Sequence, residues 1–138
     1  MVGNFVGELF AGQGLLGGLF AYVDPCLNGI PTMRHEAACA SGSVAILAAM
    51  AEIEAGRYDL ACVVGIEQMR NTGGREAAGH LGAAAWVGRE FEDADFVWPR
   101  AFSDLSEEYQ NRHGLEYEHL MRIAQINFDN ARAVADAQ

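Results

Sequence analysis

The chain has 138 residues, the length of one domain or part of one, and 51% of them are hydrophobic against 20% charged. This composition supports a buried core and excludes a chain that is disordered throughout. Nineteen acidic and nine basic residues give a net charge of -10, which argues against nucleic-acid binding because phosphates require a basic surface. Three cysteines at irregular spacing fit a reducing intracellular setting better than a disulfide framework or a zinc site.

The start of the chain is apolar but does not resemble a membrane span. Glu8, Gln13 and several glycines interrupt it before about 20 apolar residues accumulate. A secretory signal needs basic residues ahead of its apolar core, whereas the first basic residue is Arg34. We therefore expect a soluble, cytoplasmic protein, and the alanine-rich, lysine-free composition suggests a bacterial source.

The first third of the chain predicts short elements separated by turns. A glycine-rich segment contains a predicted helix at about 15–22. Residues 24–31 hold two Pro-containing turn sequences. The bounded segment 32–38 then predicts a strand.

A βαβ unit follows from the next two elements. Residues 44–55 are almost entirely Ala, Ile, Leu and Met, which predicts a helix buried on nearly all sides and ended by Gly56. The apolar, β-branched run 59–66 is typical of a strand covered on both faces. Strand, helix and strand at this spacing predict an α/β fold with a right-handed crossover.

The second half of the chain is predicted to be a long connection and two helices. The segment 67–102 has little periodic pattern and is too long for a connection without a function of its own. Its acidic, aromatic part, 90–98, fits an acyl tunnel, a partner surface or a small satellite core equally well. Ser103 is the predicted cap of a helix that ends at Gly114, and 116–133 predicts a second amphipathic helix.

Cys39 combines a reactive side chain with a special position. It lies where the predicted strand ends and the long helix begins. The positive end of a helix stabilises a thiolate, and the small residues of the first turn leave room for a bulky acyl substrate. The backbone N–H of Cys39 is also placed to donate to an oxyanion. The structural alternative is that Cys39 is a small buried hydrophobe, as most free cysteines are.

The sequence around Cys39 resembles the nucleophile region of the thiolase family. Further stretches resemble the sterol-carrier-protein, or lipid-transfer, type of thiolase, so that the likeness covers almost the whole chain. The matching residues at the cysteine are Arg34-His35-Glu36-Ala37-Ala38-Cys39-Ala40-Ser41-Gly42-Ser43, Gly56-Arg57-Tyr58-Asp59 and Val63-Val64-Gly65-Ile66-Glu67-Gln68-Met69, and the further ones lie within 3–14 and 105–130.

This resemblance implies a layered α/β thiolase fold and an acyl-CoA C-acyltransferase. Residues 1–70 would be the N-terminal α/β segment with its nucleophile, and 71–138 a loop-domain region with two helices. Cys39 would attack the carbonyl of an acyl-CoA to form a thioester. Coenzyme A is then part of the substrate, and no resident cofactor or metal is expected.

The resemblance also implies parts that this sequence does not contain. Thiolases carry an activating His in a Gly-His-Pro motif and a second catalytic Cys in a Cys-x-Gly motif, both in a C-terminal half. Neither motif occurs here, so the chain is expected to be an internal fragment that is inactive alone. The family implies a homodimer or higher oligomer, and its lipid-transfer members also bind a small OB-fold partner protein.

Several neighbouring residues have competing interpretations. Glu67 and Met69 follow the second predicted strand at its carboxyl end, where α/β sheets bind ligands. One interpretation places both residues beside the active site. In the alternative, the Glu67 carboxylate accepts hydrogen bonds from buried backbone and Met69 is a core residue. His35 is interpreted as a strand histidine at a subunit contact or satisfied by a neighbour, and not as the catalytic base.

Two other functions remain open at this stage. One is a thiolase-like lyase that cleaves a β-hydroxyacyl-CoA by a retro-aldol reaction, although such a lyase does not depend on a cysteine nucleophile. The other is a non-catalytic lipid carrier or scaffold subunit that pairs with another chain.

Overall fold

The computed structural model describes residues 1–134, which form two compact units. The first unit covers Met1–Val97, and the second begins at Trp98. The strands are β1 (Val2–Gly3), β2 (Arg34–His35) and β3 (Val64–Gly65), and the helices are α1 (Gly7–Ala11), α2 (Ser41–Glu54), α3 (Gly74–Gly82), α4 (Val97–His113) and α5 (Tyr117–Ala133).

The first unit is built on a small parallel sheet with the strand order β2-β1-β3. Val2 is paired with Arg34 on one side and with Val64 on the other. The predicted α/β class is therefore confirmed, with a further strand in the centre. Sequence analysis missed β1 because two residues are too few to show an alternating pattern. As a result, α2 connects two strands that are not neighbours.

Helix α2 buries one face against the sheet. Ser41, Ala45 and Ala49 are buried at a spacing of four residues, and the helix contacts all three strands. The prediction of burial on nearly all sides is wrong for the described residues, since large apolar side chains remain exposed on this helix. They are Ile46, Leu47, Met50 and Ile53.

Other predicted elements are present with different bounds. The strand predicted at 59–66 is reduced to β3, and Leu60 and Ile66 are exposed rather than covered. The helix predicted at 15–22 is a 3-10 turn, Gly18–Tyr22. Gly56 follows the end of α2 with a left-handed φ of 67°, as predicted.

The long connection after β3 contains an element that sequence analysis missed. Helix α3 packs on α1 within the first unit, so the compact units divide after Val97 and not at residue 70. The assignment of 71–138 as a loop-domain region concerns the family's domain organisation and stays a prediction. In the aromatic segment 90–98, Phe96 is exposed, which does not fit a satellite core at that position.

The second unit consists of the two predicted helices. Helix α4 begins at Val97, so Ser103 lies inside it and does not cap it. Gly114 ends α4 with a φ of 74°, and α5 follows from Tyr117, in agreement with the sequence. Within residues 1–134, no helix has both the length and the apolar character needed to cross a membrane.

Candidate active site

A cavity of about 340 Å³ that contains Cys39 lies at the carboxyl ends of β1 and β3. Residues that directly follow β1 and β3 form two of its walls, and the turn before α2 forms a third. This is the edge at which parallel α/β sheets bind their ligands. The lining residues are Gly3, Asn4, Phe5, Ala38, Cys39, Ser41, Gly42, Gly65, Ile66, Glu67, Met69 and Leu81.

A strained turn presents the Cys39 side chain. Ala38 has a left-handed φ of 48°, which costs a residue with a Cβ about 1–2 kcal/mol. The Ser41 hydroxyl holds the turn, because it donates to the Ala38 carbonyl at 2.7 Å and accepts from the Ala37 N–H at 2.9 Å. The Glu36 carboxylate accepts from the Ala38 N–H at 2.6 Å. Cys39 is thereby exposed at the start of α2.

A buried polar network joins the ends of β1 and β3 beside the cysteine. Asn4, only 3% exposed, donates through Nδ2 to the Ile66 carbonyl at 2.8 Å and to Glu67 Oε1 at 3.1 Å. The other carboxylate oxygen of Glu67 accepts from the Phe5 N–H at 2.7 Å. Asn4 Oδ1 accepts from the Gly7 N–H at 2.9 Å. The network fixes two walls of the cavity relative to each other.

The first turn of α2 lies directly against β1. A Cβ atom added to Gly3 would be 2.7 Å from the Gly42 Cα and 2.8 Å from the Ser41 carbonyl oxygen. The approach requires a glycine at position 3, whereas a Cβ added at Gly42 would meet no atom within 4 Å. The packing of backbone on backbone therefore sets the distance between the central strand and the helix that follows Cys39.

The structure brings together Cys39, Glu67 and Met69, all singled out from the sequence. Cys39 is exposed, so the alternative of a small buried hydrophobe is wrong. Glu67 accepts from buried backbone, as its structural alternative predicted, and lines the cavity as well. Met69 is 43% exposed and does not fill a core.

Neither histidine of the first unit lines this cavity. The His35 Nε2 is buried and has no hydrogen-bond partner among residues 1–134, so no neighbour within the described chain satisfies this atom, and the interpretation as a subunit contact stays a prediction. His80 contacts the Phe10 ring edge to face, with 5.0 Å between centroids. Within the described chain, no cluster of three or more His, Cys, Asp or Glu residues is arranged to hold a metal ion.

The other two cysteines provide internal comparisons for Cys39, because all three are free and exposed. The Asp24 carboxylate beside Cys26 raises the pKa of that thiol, since a hydrogen bond from the thiol to the carboxylate favours its protonated form. Cys26 therefore holds less thiolate at neutral pH than an unperturbed cysteine. Cys62 lies at the opposite end of β3, where its carbonyl accepts from the Met1 amino group at 2.6 Å.

Asn4 and Gly3 are the important site residues that sequence analysis missed as individuals. They occur in the quoted stretch 3–14, but nothing in the local pattern marks Asn4 as buried. The signal that was present is a Gly-Asn pair directly after the apolar Val2.

Substituting Asn4 tests the polar network. Asn4→Ala is expected to lower the free energy of unfolding by about 2–4 kcal/mol, because the Gly7 N–H and the Ile66 carbonyl lose their buried partner. Urea unfolding measures this loss. The matched control is Gln13→Ala, which removes an exposed amide that contacts only the adjacent Gly14 carbonyl. Equal midpoints for the two variants would contradict a stabilising role for the network.

The geometry defines a class of protein before any comparison is made: an α/β protein with an accessible thiol at the carboxyl edge of its parallel sheet. A family model described as "Thiolase, N-terminal domain" matches residues 2–138. The chain therefore belongs to the thiolase family, and the fold and family expected from the residues around Cys39 are confirmed.

Curated relatives agree with this assignment. The chain is 34% identical over 131 residues to an acetyl-CoA acetyltransferase of Methanocaldococcus jannaschii, with 94% of this chain and 32% of that protein covered. It is 29% identical over 131 residues to an acetyl-CoA acetyltransferase of Methanothermobacter thermautotrophicus, with 94% and 33% covered. The chain thus spans about a third of the length of these relatives.

Proposed function

We propose that this chain carries the nucleophile of an acyl-CoA C-acyltransferase of the lipid-transfer type, and that Cys39 accepts the acyl group. The observation that carries the proposal is the exposed Cys39 on the wall of a cavity of about 340 Å³ at the carboxyl edge of the sheet. The names of the two relatives support acyl transfer from coenzyme A. Within the described residues, Cys39 is the one cysteine that lines this cavity.

The proposed first step is a thioester exchange. The Cys39 thiolate attacks the carbonyl carbon of the acyl-CoA, a sulfur–carbon bond forms, and the bond to the sulfur of coenzyme A breaks. The leaving thiolate takes up the proton that Cys39 lost. The positive end of α2 favours negative charge next to Cys39, and small residues at Ala40 and Gly42 keep the approach to sulfur open.

The remaining chemistry is proposed to involve polypeptide beyond this sequence. In the family, the His of a Gly-His-Pro motif and a second Cys complete the site, and neither motif is present here. We therefore propose that the 138 residues are part of a longer enzyme and that the acyl group passes from Cys39 to coenzyme A or to the α-carbon of a second acyl-CoA. Coenzyme A enters as substrate, and no resident cofactor is proposed.

The cellular location and the assembly of the enzyme are also proposals. We propose a cytoplasmic homodimer, with a small OB-fold protein as a further partner. The exposed apolar residues of α2, such as Leu47 and Met50, support a covered face, because a solvated helix does not normally keep such a surface.

Mass spectrometry tests the covalent step. The complete polypeptide that contains this chain is incubated with acetyl-CoA, digested, and searched for an added acetyl group. We expect the group on the peptide that contains Cys39 and not on those with Cys26 or Cys62. Cys26 is the sharper internal control, because Asp24 raises the pKa of its thiol. Equal labelling of the three cysteines would show general thiol reactivity and contradict the proposal.

A further inference from the structure

The guanidinium group of Arg34 holds the segment that directly follows β1. Its Nη2 donates to the Phe5 carbonyl at 2.6 Å, and its Nε donates to the Asn4 carbonyl at 3.3 Å. Its Nη1 forms an ion pair with the Glu8 carboxylate in the first turn of α1. The Arg34 side chain is 21% exposed, so these contacts are partly shielded from water. One side chain of β2 therefore fixes the neighbouring segment at three points.

The peptide unit between Asn4 and Phe5 is bonded to opposite charges on its two sides. Its carbonyl accepts from the Arg34 cation, and its N–H donates to the Glu67 carboxylate at 2.7 Å. Hydrogen bonds to charged groups are about twice as strong as those between neutral groups, and bonds in a chain polarise one another. We call this unit the clamped peptide, because a cation from β2 and an anion shortly after β3 determine its orientation.

The clamped peptide matters for the site because it carries Phe5. Phe5 lines the Cys39 cavity, whereas Arg34 does not. Without the guanidinium, the Asn4 and Phe5 carbonyls lose their charged donor, and the backbone of Phe5 is free to move relative to Cys39. Arg34 therefore acts on the cavity through the wall that it holds.

A second arginine of the first unit provides a comparison. Arg57 donates to both carboxylate oxygens of Glu52, and neither residue lines the Cys39 cavity. The Arg57 side chain is 61% exposed, and exposed ion pairs of this kind contribute little to stability. Arg57 is therefore a matched control for the loss of an arginine that is paired with a carboxylate.

We propose that Arg34 is a positioning residue for the acylation of Cys39, because it holds the clamped peptide and with it the cavity wall that confines the acyl end of the substrate. This inference rests on the proposed function and adds to it a residue that does not touch the substrate. A wall that orients the acyl carbonyl affects the rate constant at saturating substrate. The concentration of acetyl-CoA that gives half of this rate is expected to change little.

Substitutions of Arg34 test the proposal in the complete polypeptide. The rate of acetylation of the peptide that contains Cys39 is measured by mass spectrometry over a range of acetyl-CoA concentrations. Arg34→Ala is expected to lower the saturating rate about ten- to hundredfold, because a misplacement of about 1 Å carries a cost of that order. Arg34→Lys keeps the charge but loses the planar fork of donors, so its rate is expected to lie between those of Arg34→Ala and the unsubstituted protein. A full rate in Arg34→Lys would contradict the proposal, and this variant decides the question if Arg34→Ala does not fold.

Added guanidinium separates positioning from a purely structural role. The space left by Arg34→Ala opens to solvent, because the native side chain is partly exposed. Guanidinium chloride, at concentrations too low to unfold the protein, is expected to raise the acetylation rate of Arg34→Ala, whereas sodium chloride at the same concentration is not. Arg57→Ala is expected to keep its rate within about twofold and to show no response to guanidinium. If guanidinium raises the rate of Arg34→Ala no more than sodium chloride does, the inference is wrong.

Two further measurements distinguish the ways in which the inference could fail. Iodoacetamide alkylates an accessible thiol without using the cavity wall, so its rate at Cys39 is expected to stay within about twofold in Arg34→Ala. An equal loss of alkylation and acetylation would place the effect at the thiol and overturn the inference. If acetyl-CoA does not label Cys39 in the unsubstituted protein, the proposed function fails and the inference fails with it. Normal labelling there, with an unchanged saturating rate in Arg34→Ala, would overturn the inference alone.

Discussion

Cys39→Ser is expected to lower acyl transfer by at least about 10⁴-fold in the complete polypeptide, the scale of loss that follows removal of a covalent nucleophile. The serine hydroxyl has nearly the same size as the thiol but is almost never ionised at neutral pH, so it does not attack a thioester at a useful rate. Steady-state kinetics with acetyl-CoA measure the loss. Folding should be unaffected, because Cys39 is exposed.

Two control substitutions test whether the loss of activity is specific to Cys39. Cys26→Ser and Cys62→Ser remove exposed free thiols elsewhere in the same unit and are expected to leave the rate within about twofold. Full activity in Cys39→Ser, with release of an aldehyde or ketone from a β-hydroxyacyl-CoA, would instead identify a retro-aldol lyase. Loss of activity in all three variants would point to a general requirement for thiols and would contradict a unique nucleophile.

The position of Cys39 was predictable because it depends on chain order. A short strand, a turn of small residues and a long apolar helix follow one another in the sequence, and the structure places Cys39 at that junction. Glu67 and Met69 were predictable for a related reason, since they follow a strand at the edge where ligands bind. The resemblance to thiolases supplied the covalent chemistry, which position alone does not specify.

The contacts that build the cavity were not predictable, because they join residues far apart in the chain. Asn4 and Glu67 are 63 positions apart and meet only because β1 lies between the two predicted strands. Burial of α2 was overestimated for a similar reason. Its composition is apolar on all sides, but which sides are covered depends on neighbouring surfaces that the local pattern does not contain.

An added side chain at Gly3 is expected to lower the stability of the fold strongly. A Cβ there would approach the Gly42 Cα at 2.7 Å, the Gly42 nitrogen at 2.8 Å and the Ser41 carbonyl oxygen at 2.8 Å. All three are backbone atoms, so no side-chain rotation relieves the contact. Either β1 or the first turn of α2 must move.

We expect Gly3→Val to lower the free energy of unfolding by about 3 kcal/mol or more, at the upper end of the overpacking range, and Gly3→Ala by about 1–3 kcal/mol. Urea unfolding followed by circular dichroism measures both changes. The control is Gly65→Ala, because Gly65 is paired with Gly3 in the sheet and a Cβ added there meets no atom within 4 Å. A loss at Gly65 as large as that at Gly3 would contradict the contact with α2 as the cause.

The backbone shift that a side chain at Gly3 causes is also expected to move Cys39. The Ser41 hydroxyl fixes the turn at Ala38, and the Ser41 carbonyl is one of the atoms that a Gly3 side chain would push away. In Gly3→Ala molecules that remain folded, Cys39 acylation by acetyl-CoA is therefore expected to slow about tenfold or more, since small misplacements of a reacting group carry large costs. Gly79→Ala, in α3 and outside the lining of the Cys39 cavity, adds a Cβ that meets no atom within 4 Å and should leave that rate within about twofold. Unchanged acylation in folded Gly3→Ala would show that the spacing between β1 and α2 serves stability alone.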